Sequence, residues 1–595
     1  MENKKMKQKA LVWAMGATMV TGGLLLSGCG GDGKDGQNGK DGVDASSQVI
    51  ELMRTGRTAS RGFDVSAAEI VAYDHAHDHI FVVNAENGKV DVFNNLTAAT
   101  PTLYQSINLG QMLVDNGKVA DAATVGDANS VTVKGDYVAV AVESNPKTDN
   151  GWVIFLNTSD LSYAGAVQVG AQPDMVTFTP DGSKVVVANE GEPNNDYSLD
   201  PEGSISIISV PAFTVQTAGF TDFNEGGTRH SNLPLEKMIV GDYSATAADH
   251  QATVAQSIEP EYVAVSDDSS KAYVTLQENN AVAVVDLATA KVEKILGLGF
   301  KDHSIPGNEM DASNKDGVHI QNWDVMGIYM PDSIASMTFN GKTYLLTANE
   351  GDDRQDWLDN VTDQAGCEAA GYYYDANDHC IDAFTAKDYY SNDNVTLTSR
   401  FTSDENGGFG GNDELRRLKF SYRTTKAKNS GTNFTKIYAY GGRSFSIWDV
   451  ETGEQVFDSG SFFERLTAQR YGELFNNDNS ENDPDGRSDN KGPEPEAITV
   501  GKINGHTYAF VGLERMGGIM VYDVSNPYAP KFEQYLNDRD LTVGPSANTD
   551  AGDLGPEGFK FVSAEESGNG KPYLIVGNEV SGTTSVYEIK VTELR

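Results

Sequence analysis

Cysteine is scarce in this 595-residue chain, with only three. That excludes a disulfide framework, and two cysteines left over from any anchoring role cannot build a zinc site alone. Basic residues are also short: 45 Lys and Arg face 86 Asp and Glu, a formal net charge of −41. So acidic a surface argues against nucleic acid as a partner and suits divalent cations or a cationic ligand. There is no Gly-x-Ser-x-Gly elbow and no His-Glu-x-x-His pair, so the usual marks of a serine hydrolase and a zinc protease are missing. Apolar residues are not lacking, and 39% hydrophobic content is ample for a packed core.

What is present is a repeated hairpin. Pro173-Asp174 leads through Met175-Val176-Thr177-Phe178 to the turn Pro180-Asp181-Gly182, then to Val185-Val186-Val187-Ala188-Asn189-Glu190. That is a strand, a tight turn and a β-branched strand, with an acid at each open end. The unit recurs from Glu261 to Glu278, from Asp332 to Glu350, from Glu496 to Glu514 and from Glu557 to Glu579. Looser copies run from Glu69 to Glu86 and from Asn129 to Glu143. Such repetition marks an all-β fold, a single large β-propeller over residues 48–595. The strand quartets predict eight blades, or seven if the quartet in residues 418–458 completes the blade begun at Pro331. An insertion over about residues 351–414 interrupts that blade. Residues 49–58 are expected to supply the outer strand of the last blade.

The N-terminus reads as an address. Lys4, Lys5, Lys7 and Lys9 precede an apolar run over residues 10–26, then Leu26-Ser27-Gly28-Cys29, which resembles the lipobox of bacterial lipoproteins. Residues 1–28 are expected to be a signal peptide and Cys29 the lipidated residue. By resemblance to sorting in double-membrane bacteria, Gly30 after it implies the outer membrane or cell surface. Residues 29–47, with glycine at every third position from Gly30 to Gly42 and no proline, read as a flexible tether. Cys367 and Cys380 share one polar, Tyr-rich insertion, and in an exported chain they read as a disulfide. The propeller is read as a monomer.

Several strings resemble the choice-of-anchor I family of exported propellers, which includes mesenchyme-specific cell-surface glycoproteins. They are Ala188-Asn189-Glu190-Gly191-Glu192-Pro193, Ala348-Asn349-Glu350-Gly351-Asp352, Gly441-Gly442-Arg443-Ser444-Phe445-Ser446, Lys491-Gly492-Pro493-Glu494-Pro495-Glu496 and Leu554-Gly555-Pro556-Glu557-Gly558. Bacterial members of that family are often labelled alkaline phosphatase, and animal members are linked with calcium mineral. The resemblance therefore implies either calcium or phosphate ester chemistry.

In a propeller, the connection into the innermost strand and the connection leaving the next strand open on one face. Asp174, Glu261, Asp332, Glu496 and Glu557 are therefore expected to ring one mouth of the channel. Glu86, Glu143, Glu190, Glu278, Glu350, Glu514 and Glu579 should stand beside them, with Glu192 and Asp352 making blades three and five densest in oxygen. Gathered carboxylates on loops suit calcium. Unneutralised, they repel and raise one another's pKa. Arg443, Lys491 and Arg515 are the basic groups expected nearest the mouth, either neutralising it or binding phosphate. Glu481-Asn482-Asp483-Pro484-Asp485-Gly486 weakly resembles an EF-hand loop, and His75, His77 and His79 alternate as chelators do. For both, an ordinary solvated loop or turn is the competing reading. Two functions remain: a lipid-anchored, calcium-binding surface propeller displaying loops to a partner, or a calcium-dependent phosphoesterase using metal-bound water.

Overall fold

Four innermost strands open on proline: Pro173–Phe178, Pro260–Val265, Pro495–Ile503 and Pro556–Val562. Proline has no N–H to give a ladder, so the first position of a strand is where it is tolerated. In each strand the register slips just after it, between Pro173 and Val176, Pro260 and Val263, Pro495 and Ile498, and Pro556 and Phe559. Asp174, Glu261, Glu496 and Glu557 all fall inside these slips. A bulge leaves its extra residue unpaired and re-aims the side chain. The Pro-acid dipeptide thus turns each carboxylate out of its ladder and toward the channel.

The computed structural model describes residues 48–85, 88–375, 377, 379–389, 396–397 and 414–594. The expected signal peptide and tether (residues 1–47, with Cys29) and Glu86 lie outside them, as does much of residues 390–413. Among the described residues, seven four-stranded antiparallel sheets run in chain order. Blade 1 begins at Val71–Asp74, blade 2 at Val125–Lys134, blade 3 at Pro173–Phe178 and blade 4 at Pro260–Val265. Blades 5, 6 and 7 begin at Ile334–Phe339, Pro495–Ile503 and Pro556–Val562. Successive inner strands touch around a closed circuit, with blade 7 returning to blade 1. The outer strand of blade 7 is Gln48–Arg57, paired antiparallel with Thr583–Glu593 from Gln48 opposite Glu593 to Arg57 opposite Ser585. The first described strand thus locks the last blade, as residues 49–58 were expected to do. Second strands such as Lys184–Asn189 are β-branched and buried almost throughout, because neighbouring blades cover both faces.

The separate blade expected from residues 418–458 does not form. Lys342–Asn349 pairs with Ser444–Asp449, and Gln455–Asp458 follows, so these strands complete blade 5. Ile437–Tyr440 runs parallel to Val325–Ile328 in a five-stranded sheet with Phe300–Asp302, Phe420–Ser421 and Ala383–Phe384. The eighth quartet is thus divided between blade 5 and a small accessory sheet with its own core of Trp323, Phe384, Leu418, Phe420 and Phe434. The departure from blade 5 spans residues 350–443, longer than the 351–414 expected. Cys367 and Cys380 within it form a disulfide with Cα atoms 5.8 Å apart. No helix among the described residues is long and apolar enough to cross a membrane.

Candidate functional site

The channel mouth opens into a cavity of about 750 Å³. Asp174, Glu261, Asp332, Glu496 and Glu557 line it from the starts of inner strands. Glu350, Asp352 and Glu514 line it from beyond the ends of second strands. Asparagines position some of these acids. Asn189 and Asn349 end their strands, are fully buried, and donate to Ser204 and Ser206 or to Ser444 and Ser446 on the next strand. Each thereby fixes the glutamate that follows it. Tyr262, the residue after Glu261, also lines the cavity, where Asp332, Glu557, Asp174 and Glu496 act on its hydroxyl from four blades.

Four expected acids stand just behind the lining. Glu190 accepts a 2.7 Å bond from Gln172 Nε2, and Glu192 is held by Gln172 and Lys147. Glu278 lies beside Arg354 in a small adjoining space. Glu579 accepts 2.7 Å from Ser66 Oγ. Thus the oxygen-rich loops of blades 3 and 5 already have protein partners, since Glu350 also takes Gln277 at 2.9 Å and Lys491 at 2.6 Å.

The basic residues divide. Lys491 Nζ lies 2.6 Å from Glu350, 3.4 Å from Glu494 and 3.9 Å from Asp352. Arg515 Nε lies 3.1 Å from Glu514 and 3.4 Å from Glu494. Both line the cavity. Arg443 does not: it is 3% exposed, pairs with Glu464 at 2.8 Å, and donates to the Asp311, Ser488 and Asn490 carbonyls. Its work is to hold the 488–490 loop against blade 5.

Burial and mutual repulsion govern the remaining carboxyls. Burial, then Glu192 and Glu143, push Asp174 up to about 7. Burial pushes Glu514 up to about 8, partly offset by Arg515. Glu261, Glu496 and Glu557 stand well above the carboxylate range, from burial first and then from Asp332, Glu514 and Glu69 respectively. On each of these three, Oε2 is shut from solvent and has no hydrogen-bond partner. Native proteins pair nearly all buried polar atoms, so three such oxygens around one cavity stand out.

Among the described residues, three carboxylate triads have ligand oxygens within 4.8 Å of one another: Glu69-Glu557-Glu579, Asp332-Glu350-Glu496 and Glu350-Glu494-Glu514. Glu69 and Glu494 were not among the expected ligands. Glu69 ends the linker into blade 1 and matched the repeat only loosely. Glu494 lies in the Pro-Glu-Pro-Glu string, where its neighbour Glu496 fitted the hairpin pattern better. The other two metal candidates do not join these triads. In blade 1, His77 Nδ1 pairs with Asp74 at 2.6 Å, and His79, which opens the second strand, stacks on Tyr104. Asp485 accepts Ser488 Oγ at 2.6 Å.

A profile of the choice-of-anchor I domain matches residues 69–527. Gigasin-3a of Magallana gigas is 32% identical over 182 residues, 29% of this chain and 64% of that protein. A mesenchyme-specific cell surface glycoprotein of Strongylocentrotus purpuratus is 24% identical over 314 residues, 50% of this chain and 38% of that protein. The alignments thus span less than two thirds of each relative's own length. Among solved structures, the WD40 domain of Toxoplasma gondii coronin aligns over 93% of this chain and 88% of its own, at 7% identity and TM-score 0.42. The Myceliophteria thermophila Cps50 (Swd1) β-propeller domain aligns over 91% and 100%, at 6% identity and TM-score 0.40. On the span of the profile match, the chain belongs to the choice-of-anchor I domain family.

Proposed function

We propose that the chain is an exported, lipid-anchored surface propeller that binds a divalent cation at its acidic mouth and displays its long loops to a partner. The carrying observation is the trio of enclosed, unpartnered oxygens on Glu261, Glu496 and Glu557. A donor set of carboxylates without nitrogen or sulfur suits a hard ion, and a roomy, irregular oxygen site suits calcium better than magnesium. The Leu26-Ser27-Gly28-Cys29 string supports the anchor, and the surface glycoprotein relative supports the location. Nothing in the geometry favours the phosphoesterase alternative. Arg443 is committed to Glu464 and three carbonyls, and Lys491 and Arg515 are engaged with Glu350, Glu494 and Glu514.

An ion bound only by the folded state stabilises it, by about 2.7 kcal/mol at 100 times the dissociation constant. Calcium is therefore expected to raise the melting temperature of chelator-treated protein, and magnesium to raise it less. Identical melting in chelator and in millimolar calcium, with no heat on calorimetric titration, would overturn the cation reading. Replacing Cys29 with Ala should move the chain from the membrane fraction to the soluble fraction, and continued membrane retention would refute the anchor.

A further inference from the structure

The three carboxylate triads differ in what already neutralises them. Both triads containing Glu350 are served by the protein's own cations, with Lys491 on Glu350 and Glu494 and Arg515 on Glu514 and Glu494. Around Glu69, Glu557 and Glu579 the picture is reversed. The charges that act on Glu69 are Glu579, Asp174 and Asp127, and those on Glu557 are Glu69, Glu579, Asp332 and Asp174. All are negative.

The fold nevertheless forces these three together. Glycine stands at 558 and 577 on blade 7. A Cβ at Gly577 would lie 1.9 Å from the Glu69 carbonyl oxygen, and one at Gly558 would lie 2.4 Å from it. Any side chain at either position would push blade 1 away, so the bare backbone seats Glu69 directly against Glu557 and Glu579. Residues before Glu69 strengthen the seam: Thr58, Arg61 and Asp64 donate backbone N–H groups to Thr584, Gly582 and Val580. Ser66 Oγ donates to Glu579 Oε1 at 2.7 Å. Glu557 Oε2 is enclosed and takes no bond.

We propose that Glu69, Glu557 and Glu579 hold one calcium ion that bridges the last blade to the first. This rests on the cation reading above and narrows it from the whole mouth to one seam. Three carboxylates offer up to six oxygens, and the cavity leaves room for water to complete the shell of a six- to eight-coordinate ion. Neither Lys491 nor Arg515 needs to be displaced. The ion would join the blade that opens the ring to the blade that closes it, adding to the backbone pairing and the Ser66–Glu579 bond already there.

The test uses the purified chain with calcium alone as probe, read by titration calorimetry and by melting in chelator and in calcium. The variants are Glu69→Gln/Glu557→Gln, Glu579→Gln and, as control, Glu350→Gln. Loss of an outer-shell partner weakens metal binding by roughly 10–100-fold, so the double variant is expected to lose on the order of 100-fold or more. Glu579→Gln should weaken binding as well. Glu350→Gln should stay within about threefold, as for a separate site. The double variant should melt in chelator no lower than the wild type, because two buried, mutually repelling carboxyls are gone. That also shows that it is folded. Retained affinity in the double variant, or equal loss in Glu350→Gln, overturns this assignment while leaving a cation at the mouth. No calcium binding by the wild type overturns both readings together.

Discussion

Glu494 has no exposed surface and three cations around it: Arg487 at 2.7 Å, Lys491 at 3.4 Å and Arg515 at 3.4 Å. Burial alone would raise its pKa, but Lys491, Arg487 and Arg515 outweigh it and hold the group at about 2. This is a charged cluster whose members depend on one another. Removing one partner of such a pair costs about 3–5 kcal/mol, because the other charge stays buried and uncompensated. Lys491→Met is therefore expected to destabilise the protein by about that amount in denaturant unfolding. A loss below about 1 kcal/mol, as for an exposed pair, would show that Lys491 is not neutralising this cluster. At this scale the ring acids were legible, since Asp174, Glu261, Glu496 and Glu557 each follow proline at the head of a hairpin. Their partners were not. Lys491 meets Glu350 across 141 positions, and no local spacing encodes that pair. Nor could the string Pro493-Glu494-Pro495-Glu496 show which glutamate faces the cations. The positive φ of 51° at Glu494 decides it, and that is a property of the folded loop.

Strands and turns were readable one by one, because alternation and Pro/Gly turns are local signals. Partner choice was not. Ile437–Tyr440 has the composition of a blade strand, yet it pairs in parallel with Val325–Ile328 from the connection before blade 5. Period-two alternation says that a strand exists and leaves its neighbour open. The disulfide belongs to this scale too. It ties the short helix Gln364–Ala369 to the strand Cys380–Ile381, within a cluster that includes Tyr197, Tyr243, Leu358 and Tyr372. Arg354 joins that cluster to the propeller, bonding Glu259 at 2.7 Å and Asp242, which also takes the Tyr372 hydroxyl. A loop of about 15 residues closed by a disulfide contributes roughly 3 kcal/mol. That stabilisation acts on the insertion, since the bond closes no loop that includes a blade. Reduction should therefore speed hydrogen exchange in residues 355–385 and leave protection in the blade strands unchanged. Equal loosening of blades 1 and 2 would show that the insertion and propeller unfold as one unit.

At the scale of the whole molecule, a ring of blades brings acids from far apart in sequence to one axis, and that arrangement sets how stability depends on pH. Folding pushes the Asp174 carboxyl up from an ordinary 3.8 to about 7, and that of Glu514 up from 4.5 to about 8. Burial is the first cause in both. Folding therefore favours the protonated form of each group. Their contribution is fully present below about pH 4, near their unfolded values, and is lost as pH rises through about 7 to 8. Glu494 has the opposite sign, with stability present above 4.5 and lost only as pH falls through about 2, so it is constant between pH 5 and 8. In chelator the protein is thus expected to melt at a lower temperature at pH 8 than at pH 5. Calcium should act in the other direction, since carboxylates bind metal only when deprotonated. It should restore much of the loss at pH 8 and add little at pH 5. Melting curves at both pH values, each with chelator and with calcium, give the four numbers needed. If chelator-treated protein is more stable at pH 8, the mouth carboxyls are not held protonated by burial. If calcium stabilises equally at both pH values, its ligands are already ionised at pH 5 and are not drawn from the buried ring.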